Sequence, residues 1–122
     1  MISRKSAFEL NRMRKAGEIT GSILSRVATA ITPGITTKEL DELAAAKTLE
    51  FQVKPAFKGY QGFPASICTS VNDQVVHGIP GPRKLKSGDI VGLDFGVVYK
   101  GYYGDAAVTV GVGEVAPQHR RL

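Results

Sequence analysis

A chain of 122 residues with 43% hydrophobic and 22% charged residues has the composition of an ordinary globular protein, not of a disordered or fibrous one. Folding a chain of this length removes about two thirds of its unfolded surface from water, so size alone permits a core. The formal net charge of +5 is scattered, with local groups at Arg12, Arg14 and Lys15 and at Arg120 and Arg121. It reads as a solvated face. Its sign suits ribosomal RNA or nascent chains, but no basic stripe or aromatic interleaving stands behind that reading, and no specific DNA binding is expected.

Ser6 and Glu9 have the spacing of a capping box, and Leu10, Met13, Gly17, Leu24, Val27 and Ile31 then recur at helical period, which predicts a helix over residues 7–31. Pro33 and Gly34 end it. Thr36 and Glu39 open a second helix that carries Leu40, Leu43 and Ala44 on its apolar face and fades near Phe51. Glycine, proline and β-branched residues then take over, and strands are expected at 65–71, 90–98 and 103–110. Residues 113–117 read as a strand exit towards another element, so residues 1–122 are expected to form a single partial domain. No apolar run approaches the roughly 20 residues of a spanning helix. Glu9, Asn11, Arg12 and Arg14 leave no apolar stretch for a signal peptide. The one cysteine, Cys68, excludes an internal disulfide and a cysteine-built zinc site. These features point to the cytoplasm and away from a membrane.

Asp94 and Asp105 carry the strongest chemical signal. They lie in the two arms of an expected hairpin, and a two-residue turn places them on one face of the sheet. With the turn at Tyr99-Lys100 they face each other, Cβ atoms about 5 Å apart; with the turn at Lys100-Gly101 they sit diagonally, at about 7 Å or less. Two ionised carboxylates that close repel, and a divalent cation is the natural compensation. Oxygen ligands favour hard or borderline ions such as manganese, ferrous iron or cobalt. The competing reading, in which each aspartate caps a turn or faces solvent, fits the spacing equally well.

The runs Lys58-Gly59-Tyr60-Gln61-Gly62-Phe63-Pro64-Ala65-Ser66-Ile67-Cys68, Ser70-Val71-Asn72-Asp73-Gln74-Val75-Val76-His77-Gly78-Ile79-Pro80 and Gly88-Asp89-Ile90-Val91-Gly92-Leu93-Asp94 closely resemble type I methionine aminopeptidases. Gly104-Asp105 continues the match, and Met13-Arg14-Lys15-Ala16-Gly17 and Pro33-Gly34-Ile35-Thr36 extend it through the helices. The resemblance implies an α+β chain that is the amino-terminal half of a pita-bread fold, with two helices and antiparallel strands. It implies that Asp94 and Asp105 are metal ligands, with Asp105 bridging two divalent ions (cobalt, manganese, iron or zinc). His77 would be the catalytic histidine beside the scissile bond. Tyr60, Phe63 and Cys68 would line the pocket for the methionine side chain, with Phe57 at its border. The substrates would be nascent polypeptide amino termini beginning with Met.

Members of that family are about twice as long, and the missing carboxy-terminal half is expected to supply the remaining ligands, one histidine and two glutamates. A catalytically inactive binding module for nascent peptide or the ribosome is the alternative reading. Asp94, Asp105 and His77 speak against it, since such a module needs none of them. Metal-dependent proline peptidases share the carboxylates, but the 58–68 segment and Val76-His77-Gly78-Ile79-Pro80 discriminate against them.

Overall fold

The computed structural model describes residues 6–58, 64–72 and 78–113. In chain order these form α1 (Ala7–Thr29), α2 (Thr37–Glu50), β1 (Lys54–Pro55), β2 (Ile67–Val71), β3 (Ile90–Tyr99) and β4 (Tyr102–Gly111). The helices-then-strands order read from the sequence is present.

Both helices begin at capping boxes. Ser6 Oγ accepts from the Glu9 N–H at 3.1 Å while the Glu9 carboxylate accepts from the Ser6 N–H at 3.1 Å. Thr36 and Glu39 repeat the exchange at 3.1 and 3.0 Å. Each box satisfies backbone donors that a helix start otherwise leaves orphaned. The hydrogen bonds from Thr36 also hold the Glu39 carboxyl below its ordinary pKa.

The buried stripe of α1 is Ala16, Ile19, Thr20, Ile23, Leu24 and Val27. Leu10 and Met13, expected on that stripe, are 50% and 37% exposed. Strand length explains the difference. Gly104 of β4 lies under Ala16, and only Tyr102 and Tyr103 of the strand precede it, about 7 Å of strand. The helix extends back from Ala16 by about 13 Å, so its first turns, Leu10 included, overhang the sheet, and Met13 sits close to the sheet's end. The helix also stops at Thr29, two residues short of the expected limit, where the Ala30 N–H turns back to Val27 and Ala28. On α2, Leu40 and Ala44 are fully buried and Leu43 packs against the core, as expected.

β3 is the central strand, with β4 along one edge and β1 and β2 sharing the other, all antiparallel. β1 is only two residues long and was not foreseen; its proline is tolerated because it lies at a sheet edge. β2 begins at Ile67, later than the expected residue 65, because the Ser66 and Ile67 N–H groups both donate to the Asp41 carboxylate of α2, at 2.7 and 3.1 Å. Val91, Leu93, Phe95 and Val97 alternate into the core against Ile19, Ile23, Val27, Leu40 and Ala44, with Leu85 and Val112 closing it from the connections. α1 meets β4 backbone to backbone: a Cβ on Gly104 would lie 2.6 Å from the carbonyl carbon and oxygen of Ala16. Among the described residues, no strand pairs with the outer edge of β4.

Candidate metal centre and adjoining cleft

The hairpin turns at Lys100 and Gly101, whose φ values of 49° and 87° are both positive, the signature of a type I′ turn. Tyr99 consequently faces Tyr102, which selects the second of the two registers open to the sequence. Asp94 pairs with Ala107 and Gly96 with Asp105, so the two aspartates are diagonal neighbours on one face. That face points away from the helices. Asp94 is half-buried on it and Asp105 is exposed.

Across the other edge of β3, Cys68 pairs with Asp94, so Cys68, Asp94 and Ala107 form one row over three strands. Gly96 and Asp105 form the adjacent row, extended by Ala56, whose N–H donates to the Gly96 carbonyl at 2.9 Å. Cys68 is buried. Burial pushes its thiol pKa up, and the Asp94 charge pushes it further the same way. A neutral, buried thiol is a soft apolar wall, not a nucleophile.

Phe57 follows Ala56 in the chain. With Ala56, Tyr103, Gly104 and Asp105 it lines a cleft of about 360 Å³. Gly96 keeps the floor of this region low: a Cβ there would meet the Gly104 carbonyl oxygen at 3.0 Å and the Cβ atoms of Ala56 and Asp105 at 3.3 and 3.4 Å. A second cleft, of about 390 Å³ between Thr37, Thr69 and Arg83, contains no carboxylate and lies off the aspartate face.

The structure thus brings together Asp94, Asp105 and Cys68, with Phe57 beside them. Tyr60, Phe63 and His77 lie outside the described residues. The chain that follows His77 is well anchored: the Gly78 carbonyl accepts from the Thr69 N–H at 3.0 Å, one residue from Cys68. Gly81 exchanges hydrogen bonds with the Thr37 hydroxyl at 2.8 and 3.1 Å. Sequence reasoning missed three contributors, Asp41, Gly96 and Tyr103. The parity that placed Asp94 and Asp105 on one face also places Gly96 and Tyr103 there. Asp41 carried no signal, because its partners are 25 and 26 residues away.

Two carboxylates converging on an open sheet face match the donor chemistry of a hard divalent cation. Among the described residues no group of three or more His, Cys, Asp or Glu side chains gathers around such a point. The described residues thus form an α+β layer whose helix-free sheet face carries two neighbouring carboxylates.

Comparison with known proteins identifies the class. Residues 11–122 match the family model described as metallopeptidase family M24, and the chain belongs to that family. It is 48% identical over 122 residues to the methionine aminopeptidase of Clostridium perfringens, all of this chain against 49% of that protein. The crystal structure of methionine aminopeptidase from Rickettsia prowazekii matches all of the chain with a TM-score of 0.94 at 38% identity. The enzyme from Thermotoga maritima matches with 0.92 at 45% identity. The chain covers 49% of each of those two structures. It spans about half the length of the curated relatives it matches.

Proposed function

We propose that this chain supplies the amino-terminal half of the active site of a metal-dependent methionine aminopeptidase, which removes the initiator methionine from nascent proteins in the cytoplasm. The observation that carries the reading is the diagonal placement of Asp94 and Asp105 on the helix-free face of β3 and β4. Membership of a metallopeptidase family supplies the expectation of divalent metal. In this reading Asp94 and Asp105 hold two divalent cations, with cobalt, manganese, iron and zinc as candidates. When bound, such ions supply the Lewis acidity that peptide hydrolysis requires.

The other residues of the chain bind and orient the substrate. Cys68, Phe57, Tyr60 and Phe63 surround the methionine thioether, which packs well on aromatic edges and soft sulfur. His77 hydrogen-bonds the scissile amide and stabilises charge that develops there. The remaining metal ligands come from a carboxy-terminal half, without which the set is incomplete. A cytoplasmic site of action agrees with the described helices, none of which is long and apolar enough to cross a membrane. The net charge of +5 favours contact with the ribosome.

The test is methionine release from Met-Ala-Ser with manganese or cobalt in excess. The native-length protein is expected to release methionine, and Asp105→Ala is expected to abolish release. The 122-residue chain alone is expected to release none above the Asp105→Ala background. Undiminished turnover by Asp105→Ala at saturating metal would refute the assignment. Activity of the isolated 122-residue chain would refute its incompleteness.

A further inference from the structure

The large aromatic side chain closest in the strand to the candidate metal centre has no role in the reading above. Tyr103 is 71% exposed, in a sheet whose other large apolar groups are mostly buried. It stands two residues from Asp105 on the same face of β4, opposite Val98. With Phe57, Ala56, Gly104 and Asp105 it lines the cleft of about 360 Å³ beside the carboxylate. The backbone that carries it is held firmly. Gly104, between Tyr103 and Asp105, lies against the Ala16 carbonyl so closely that a Cβ would sit 2.6 Å away. The neighbouring Tyr102 hydroxyl reaches the Glu9 carboxylate at 3.3 Å. An exposed ring on a backbone clamped from both sides is a pre-organised wall, which binds with little loss of freedom.

We propose that Tyr103 is a specificity-determining residue that packs against an apolar side chain at the third position of the peptide substrate. The proposal rests on the aminopeptidase reading and deepens it. Direction and distance select the third position. Cys68, the wall expected to touch the first side chain, lies across β3 from Asp94, on the strand opposite to β4. Tyr103 lies on the β4 side, beyond Asp105, so it faces the part of the peptide that leaves the metal centre. From Asp105 to Tyr103 is two strand residues, about 7 Å. An extended peptide advances about 3.4 Å per residue, so a chain whose amino terminus is held at the aspartates reaches Tyr103 with its third residue. Tyr103 then packs against that side chain, and an aliphatic or aromatic group is the complement to its ring.

The experiment compares Met-Ala-Leu with Met-Ala-Gly as substrates for the native-length protein in excess manganese, as wild type, Tyr103→Phe and Tyr103→Ala. Expected is a rise of about five- to tenfold in KM for Met-Ala-Leu in Tyr103→Ala with kcat unchanged, KM for Met-Ala-Gly within about twofold, and wild-type behaviour of Tyr103→Phe. That split is one a structural lesion would not produce, and circular dichroism checks that Tyr103→Ala keeps the fold. Equal effects on both peptides, or none, would overturn the assignment of Tyr103 while leaving the aminopeptidase reading in place. No methionine release by the wild type from either peptide would overturn both.

Discussion

On one face of the β3–β4 hairpin, Val91, Leu93, Phe95 and Val97 are buried under α1 and α2; on the other, Asp94, Gly96, Asp105 and Ala107 point away from both helices. The two sets alternate along the ten residues of β3, and β4 adds Asp105 and Ala107 to the second. The first set is governed by apolar area and packing, where volume matters and charge is forbidden. The second is governed by the approach of like charges and by empty space for a ligand, which contribute little or nothing to folding. Because the period is two, a slip of one residue would exchange the sets, so the I′ turn that sets the register protects stability and chemistry together.

That contrast is broken most severely on the packed face. Phe95 is fully buried at the centre of the core cluster. Truncation to alanine removes its burial and leaves a cavity, and Phe95→Ala is expected to cost about 3–5 kcal/mol, read from urea unfolding. A cost below about 1 kcal/mol would mean that the core tolerates a void there. Next comes Gly104, where the packed face is made of backbone. Gly104→Ala places a methyl group 2.6 Å from the Ala16 carbonyl, with no flexible side chain to yield. An overpacking cost of about 1–3 kcal/mol is expected. It should be accompanied by weaker metal binding, since Asp105 is the adjacent residue.

A smaller effect belongs to the clamp that joins β2 to β3. Asn72 has φ of 56°, its amide donates to Asp89 at 3.1 Å, and its side-chain oxygen accepts from the Ile90 N–H at 2.8 Å. Asn72→Ala loses both bonds and places alanine in left-handed backbone, for an expected loss of about 1–2 kcal/mol by urea unfolding. Asp89, its partner, is smaller still. The Lys86 N–H and the Asn72 amide lower the Asp89 pKa below 3.8, its value as a free side chain. A lowered folded-state pKa contributes stability that is present above the unfolded value and is lost as pH falls through the folded one. Asp89 is only partly buried and remains in contact with solvent, so a few tenths of a kcal/mol is the expected scale. The wild type should lose slightly more stability than Asp89→Asn between pH 5 and pH 3; parallel pH profiles would remove Asp89 from the clamp.

Much of this arrangement was legible in the sequence because it depends on local rules. Ser6 with Glu9 and Thr36 with Glu39 announce helix starts through contacts three residues apart, and the structure has both. The shared face of Asp94 and Asp105 follows from parity, although parity left two registers open, and the positive φ of both Lys100 and Gly101 decided between them. What was illegible depends on distant partners. The α1 face was misjudged at Leu10 and Met13 because the length of sheet beneath a helix is not a local property. The late start of β2 needed Asp41, which reaches Ser66 across the fold. Tyr103 drew no notice because an aromatic residue in a strand is expected to be buried.

The smallest expected change in stability is on the open face, and it sharpens the contrast most. Asp94 and Asp105 are diagonal, at roughly 7 Å, where two charges facing solvent repel by on the order of 0.5 kcal/mol. Asp105→Asn removes that repulsion and keeps the shape, so in metal-free buffer the unfolding free energy should stay within about 0.5 kcal/mol of wild type, with a gain more expected than a loss. Manganese reverses the comparison. A cation that binds only the folded protein stabilises it in proportion to the logarithm of its concentration above Kd, so the wild-type melting temperature should climb with added manganese. That of Asp105→Asn should stay flat. A loss of 2 kcal/mol or more without metal would show Asp105 to be a structural residue of the hairpin. An equal manganese response in both proteins would place the cation elsewhere.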